Sequence, residues 1–194
     1  MTLNRFAKAF ALSAALAFSA LPGFAAEPAD TMTITLKDGD VVIALRPDLA
    51  PKHAEQIKAL VKGGEYDNVA FHRVIDGFMA QTGDVQYGDM ENGFDANAAG
   101  TGGSKLPDLP AEFSAEKFER GVVGMARAQD PNSANSQFFI MFGPAPDLNG
   151  LYTVVGVVES GMEHVDAIKR GDSGANGVVA EPDRMVKVRM GDQK

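Results

Sequence analysis

The sequence predicts a mainly β domain, either a closed antiparallel barrel or a sandwich. Short apolar runs of strand type recur along the chain and are separated by Gly-rich turns. Only two segments carry a helical period. The 194 residues suit one domain, with no internal repeat and no low-complexity tract.

The elements follow in order. Arg5 and Lys8 precede a short apolar run, Ala9–Leu21, broken by Pro22-Gly23 and followed by small residues at Gly23, Ala25 and Ala26. That is the pattern of a secretory signal peptide over Met1–Ala26, cleaved after Ala25 or Ala26. The run is too short for a comfortable membrane span. Residues 27–194 then form the folded domain. Thr31–Leu36 and Asp40–Leu45 alternate as strands around a tight turn, so the domain opens with a hairpin. Asp38 and Asp40 read as turn residues, because the rest of a calcium-loop pattern is missing. Pro51–Lys62 has a helical period, with Pro51 suited to the first turn and Gly63-Gly64 to the end. His53 lies among polar residues in that helix and is expected at the surface.

Phe71–Asp84 (FHRVIDGFMAQTGD) predicts two short strands joined at Asp76-Gly77. It places one cation, Arg73, in an apolar setting with a neutral amide, Gln81. It offers neither an acid/base pair nor a nucleophile, so it points to a site that binds and polarises. His72 reads as a satisfied structural histidine. Val85–Pro110 is a long Gly- and Asn-rich connection, and long loops are often functional. Gly100–Lys105 has the wrong spacing and frame for a phosphate loop. Phe113–Phe118 is expected to form a helical turn started by Ser114. Gly121–Ala126, Gln137–Phe142, Tyr152–Val158 and Met185–Met190 read as strands. Met162–Lys169 reads as a second short helix with Val165 and Ile168 inward.

Composition narrows the function. The formal charge is −8, and loss of Arg5 and Lys8 with the leader would make it −10. Such a chain is poorly suited to nucleic acid or anionic membranes. It contains no cysteine, which excludes disulfides and thiolate metal ligands. The three histidines lack ligand-like spacing.

Six motifs in one order then resemble the cyclophilins, a family of peptidyl-prolyl cis/trans isomerases: Phe71-His72-Arg73-Val74-Ile75, Gly77-Phe78-Met79-Ala80-Gln81, Gly83-Asp84, Gly100-Thr101-Gly102-Gly103, Gly124-Met125-Ala126 and Asn135-Ser136-Gln137-Phe138-Phe139-Ile140. The resemblance implies a closed eight-stranded antiparallel barrel with a helix capping each end. It implies that Arg73 is the catalytic cation and that Phe78, Met79, Phe139 and Leu148 form the pocket for a substrate proline. Gln81 and Gln137 would contact the peptide or orient Arg73. Ala126, Arg127 and Ala128 would line the peptide groove through their backbone. Three positions depart from the family's common pattern. Arg127 stands where Asn is frequent. Asp147 stands where many eukaryotic members carry Trp, so weak or absent cyclosporin binding is expected. Tyr152 replaces His while keeping a wall with a polar tip. No cofactor is implied. The expected partners are proline-containing peptides and folding proteins, met by a monomer in the periplasm or outside the cell.

Two other readings stay open on the residues alone. A barrel that only holds peptides would need no arginine. A carrier or hydrolase would need an apolar lumen or a nucleophile with a partner, and Ser104, Ser133 and Ser136 have no recognisable elbow sequence.

Overall fold

The computed structural model describes residues 27–193. The expected leader, Met1–Ala26, lies outside the described residues. Eight strands and two helices follow in the order β1 (Thr31–Leu36), β2 (Gly39–Leu45), α1 (Pro51–Lys62), β3 (Arg73–Ile75), β4 (Met79–Thr82), β5 (Val122–Met125), β6 (Phe138–Met141), β7 (Val154–Ser160), α2 (Met162–Asp166) and β8 (Lys187–Met190). The strands pair antiparallel in one sheet, β3-β4-β6-β5-β7-β2-β1-β8.

The expected closed barrel is corrected by that order. The ladder has two ends, β3 and β8, so the sheet is an open half-barrel. The gap faces a non-strand segment that makes only isolated pairings. Phe71 N donates to Asp183 O at 2.8 Å, and Met185 N donates to Val69 O at 2.9 Å. β3 starts only at Arg73 and β8 only at Lys187, so no continuous ladder spans them.

Period-2 alternation explains β1: Met32, Ile34 and Leu36 point inward and Thr31, Thr33 and Thr35 outward. The inward set meets Ile57, Leu60 and Val61 of α1 in the main core. Tyr66 and Phe138 cross edge-to-face in that core at 5.6 Å, and the Tyr66 hydroxyl donates to Ser136 O at 2.7 Å. The Asp76-Gly77 turn forms as expected, with Gly77 at φ +69°, a conformation that favours glycine.

Three sequence expectations change in space. His53 is fully buried, and its Nδ1 lies 2.7 Å from Glu112 Oε2. Glu112 also accepts from the backbone N–H of Lys52 and His53, which supplies the carboxylate that caps α1. The partner comes from a loop about sixty residues away, so the local polar sequence hid the burial. Phe113–Phe118 forms no helix. Ser114 Oγ accepts only from Glu116 N at 3.3 Å, and Phe118 N is taken by Asn149 Oδ1 at 2.8 Å. Helix α2 stops at Asp166, although Val165 and Ile168 do face inward.

Candidate functional site

The β3–β4 hairpin sets the site. Its register places Arg73 opposite Gln81, and the β4–β6 register places Gln81 opposite Phe139. Directly paired residues share a face, so a cation, an amide and an aromatic ring stand in one row. Gly124 on β5 pairs with Phe139 on the other side. A methyl on Gly124 would come to 2.5 Å from the Phe139 ring, so only glycine lets that ring lie across the strand.

A cavity of about 180 Å³ opens on this face. It is lined by Arg73, Phe78, Met79, Gln81, Ala126, Arg127, Phe139, Leu148 and Tyr152. Every residue of that lining was expected at the site from sequence. The two remaining expected residues, Ala128 and Gln137, line an adjoining cavity of about 350 Å³ together with Gln81, Ala126 and Arg127. Met79 and Phe139 are buried, whereas Phe78 and Leu148 are partly open. Phe139 stacks on Phe118 at 5.8 Å and meets Tyr152 edge-on at 5.9 Å.

The polar groups form a connected relay. Arg73 Nη1 donates to Gln81 Oε1 at 3.1 Å, Gln81 Nε2 to Gln137 Oε1 at 2.9 Å, and Gln137 Nε2 to Gly102 O at 2.8 Å. Burial pushes the Arg73 guanidinium below its ordinary value, with Tyr152 acting against the shift. An arginine nevertheless stays charged near neutral pH. Arg127 is not passive at its rim position. Its guanidinium lies 4.4 Å over the Tyr152 ring and donates to Ala128 O at 2.9 Å and Leu151 O at 3.1 Å. That clamp ties the 126–129 stretch to the Tyr152 wall.

Two residues to which the sequence reading assigns no role hold the site in place. Asn176 accepts from Arg73 Nε through its backbone oxygen at 3.0 Å and from Nη2 through Oδ1 at 3.1 Å. An Asn-Gly dipeptide announces a left-handed turn, and Asn176 has φ +54°, but the dipeptide says nothing about its partner. Asp84 is fully buried and accepts from the N–H groups of Gln86, Tyr87, Gly100 and Gly102. His72, expected to be satisfied, is buried with neither ring nitrogen hydrogen-bonded. Burial, partly offset by Asp84, holds its imidazole below the ordinary range. Among the described residues no cluster of three or more ligating side chains could hold a metal, and no helix is long and apolar enough to cross a membrane.

The chain as a whole is matched by known proteins. Residues 31–190 match the family of cyclophilin-type peptidyl-prolyl cis-trans isomerases. A probable peptidyl-prolyl cis-trans isomerase of Brucella suis is 61% identical over 188 residues, 96% of each chain. An Arabidopsis thaliana isomerase is 37% identical over 74% of this chain and 86% of its own length. Among solved structures, a cyclophilin from Hirschia baltica aligns with TM-score 0.72 at 25% identity, covering 87% of this chain and 77% of that one. A Cryptosporidium parvum cyclophilin-type isomerase, solved in the presence of the dipeptide Ala-Pro, aligns with TM-score 0.70 at 27% identity, covering 82% of this chain and 98% of that one. The chain belongs to the cyclophilin-type peptidyl-prolyl cis-trans isomerases.

Proposed function

We propose that the isomerase works by binding the twisted form of an X-Pro peptide bond more tightly than either planar form. Resonance gives the planar bond a rotational barrier of about 18–20 kcal/mol. X-Pro isomers are close in energy but exchange slowly, in about 10–100 s. At the twisted geometry the prolyl nitrogen regains a lone pair. A guanidinium aimed at it stabilises that state selectively, and selective stabilisation is catalysis.

The observation that carries this reading is the way Arg73 is held. Three of its five N–H donors are engaged, by Gln81 and by two acceptors of Asn176. One donor on each terminal nitrogen is left, beside a cavity walled by Phe78, Met79, Phe139 and Leu148. The cavity clamps the proline ring. Gln81 and Gln137 orient the cation, and the backbone of Ala126, Arg127 and Ala128 holds the preceding residues. With one end clamped and the other held, rotation falls on a single bond. The presence of Ala-Pro in a related structure agrees with proline-containing peptides as substrates.

The clients in this reading are folding proteins outside the cytoplasm, reached by export through Met1–Ala26 and served by a monomer. Intact Met1–Ala26 on cytoplasmic protein would contradict export. Cyclosporin binds weakly or not at all, because the exposed Asp147 offers no indole beside Leu148.

The test is isomerisation of an Ala-Pro-Phe peptide followed by NMR exchange. Arg73→Ala is expected to lower kcat/KM by about 10²–10³-fold, as for loss of one oriented donor, with unchanged circular dichroism. Activity that survives the substitution would refute the role of Arg73.

A further inference from the structure

A third cavity, of about 240 Å³, lies against Arg73 and shares Arg73 and Gln81 with the smallest of the three. Phe94, Ala96 and Ala99 wall it from one loop, and Val178 and Val179 from another, with His72 between them. Val178 is 53% exposed, an apolar side chain left open to solvent next to the site.

Both walls are held in shape by the backbone. The Asp84 carboxylate closes the neck of the long loop, accepting from Gln86 and Tyr87 where it leaves and from Gly100 and Gly102 where it returns. Inside that neck, Asp95 N donates to Tyr87 O at 3.0 Å, Ala99 N to Asp95 O at 2.8 Å and Thr101 N to Ala98 O at 2.9 Å. The opposite wall is bonded by Val179 N to His72 O at 3.1 Å and by Asp172 N to Val178 O at 3.0 Å. The cavity is therefore preformed, which lowers the ordering cost of filling it.

We infer that this cavity is a second peptide subsite, which takes an apolar side chain of the same peptide whose proline fills the smaller cavity. The inference rests on the function proposed above. The occupant's chemistry follows from the lining. Phe94, Ala96, Ala99, Val178 and Val179 form the apolar walls, His72, Gln81, Asn97 and Thr101 add polar side chains, and the one permanently charged group in the lining is Arg73, which is shared with the smaller cavity. A basic side chain would be repelled there, and an acidic one would capture the cation needed for the reaction. Because the cavities share Arg73, continuity of the peptide sets the reach. An extended chain advances about 3.3 Å per residue, so the side chain belongs to a residue within about three of the proline. An apolar group seated there also removes water from Arg73 and strengthens its bond to the twisted amide.

The test compares Ala-rich X-Pro peptides carrying a single Phe at each of the three positions on either side of the proline, with the full chain and NMR exchange as readout. One Phe position is expected to raise kcat/KM about five- to tenfold over the all-Ala peptide, the scale of partly burying an aromatic ring. Two variants then locate the effect. Val178→Ser removes an exposed apolar wall, and Ala96→Phe fills the space. Each is expected to bring the Phe-to-Ala ratio below about twofold. Titration with the favoured peptide should shift the amides of 94–101 and 178–179. The inference is overturned if no position discriminates, if both variants keep the full ratio, or if the shifts fall only on 126–137. If the all-Ala peptide is itself not isomerised, the function proposed above fails, and the same amide shifts still decide whether the cavity binds Phe.

Discussion

Asn176 holds Arg73 from outside the sheet by two hydrogen bonds, from Nε to its backbone oxygen at 3.0 Å and from Nη2 to its Oδ1 at 3.1 Å. Gln81 holds the remaining side through Nη1. The guanidinium is thus fixed by the neighbouring strand, through Gln81 eight residues on, and by a loop 103 residues away in sequence. Asn176→Gly keeps the backbone acceptor and tolerates φ +54°, and removes only the Oδ1 bond. The expected result is a kcat lowered about three- to tenfold with KM nearly unchanged, the scale of one ordinary, solvent-exposed hydrogen bond. A change confined to KM would show that Asn176 contacts peptide instead of positioning Arg73.

Gly124→Ala tests the close approach on which the cavity depends. The new methyl would lie 2.5 Å from the Phe139 ring and 2.6 Å from that of Phe118, both packed in place. Overpacking of this kind costs about 1–3 kcal/mol. Calorimetry should show Tm lowered by about 2–10 °C for a chain of this size, and KM should rise as Phe139 is displaced. An unchanged Tm and KM would mean that the ring has room the structure does not give it.

Asp84→Asn probes the neck of the long loop. The amide would turn a donor toward backbone N–H groups that now bond to carboxylate oxygens. Loss of such charge-assisted bonds is expected to cost about 2–4 kcal/mol, read as a lower urea midpoint. Hydrogen exchange at 87–102 should quicken more than in β1 or β2. Uniform quickening would mean that Asp84 supports the whole fold and not the loop.

His72 makes stability depend on pH. Burial, partly offset by Asp84, holds its folded value below the unfolded one, which lies near 6.5. A depressed value of this kind stabilises the fold above the unfolded pKa and is lost as pH falls, because the unfolded chain binds the proton first. Urea midpoints should therefore fall between about pH 7.5 and 5.5, and His72→Gln should fall less over the same range. An equal decline in both proteins would assign it to other groups.

Much of the site was legible because it is local. Arg73, Phe78, Met79 and Gln81 fall within one hairpin, and period 2 with an Asp-Gly turn places them on the sheet. Ala126, Arg127, Gln137 and Phe139 sit on or beside the next two strands in sequence. His53 was misread for the opposite reason: its neighbours in sequence are polar, whereas its neighbour in space is Glu112. The Phe113–Phe118 turn failed likewise, since Asn149 claims the N–H of Phe118 from a distant segment.

The sequence by itself determined the class of fold, nearly every strand, helix α1 to the residue, and the residues that line the cavity. Alternation, helical period and turn chemistry act over a few residues, so they can be read along the chain. Tertiary structure alone decided that the sheet stays open between β3 and β8, that Asn176 shares Arg73 with Gln81, and that the long loop stands beside the cation. Those facts depend on which buried donors and acceptors find each other across long separations, and pairing of that kind leaves no local pattern.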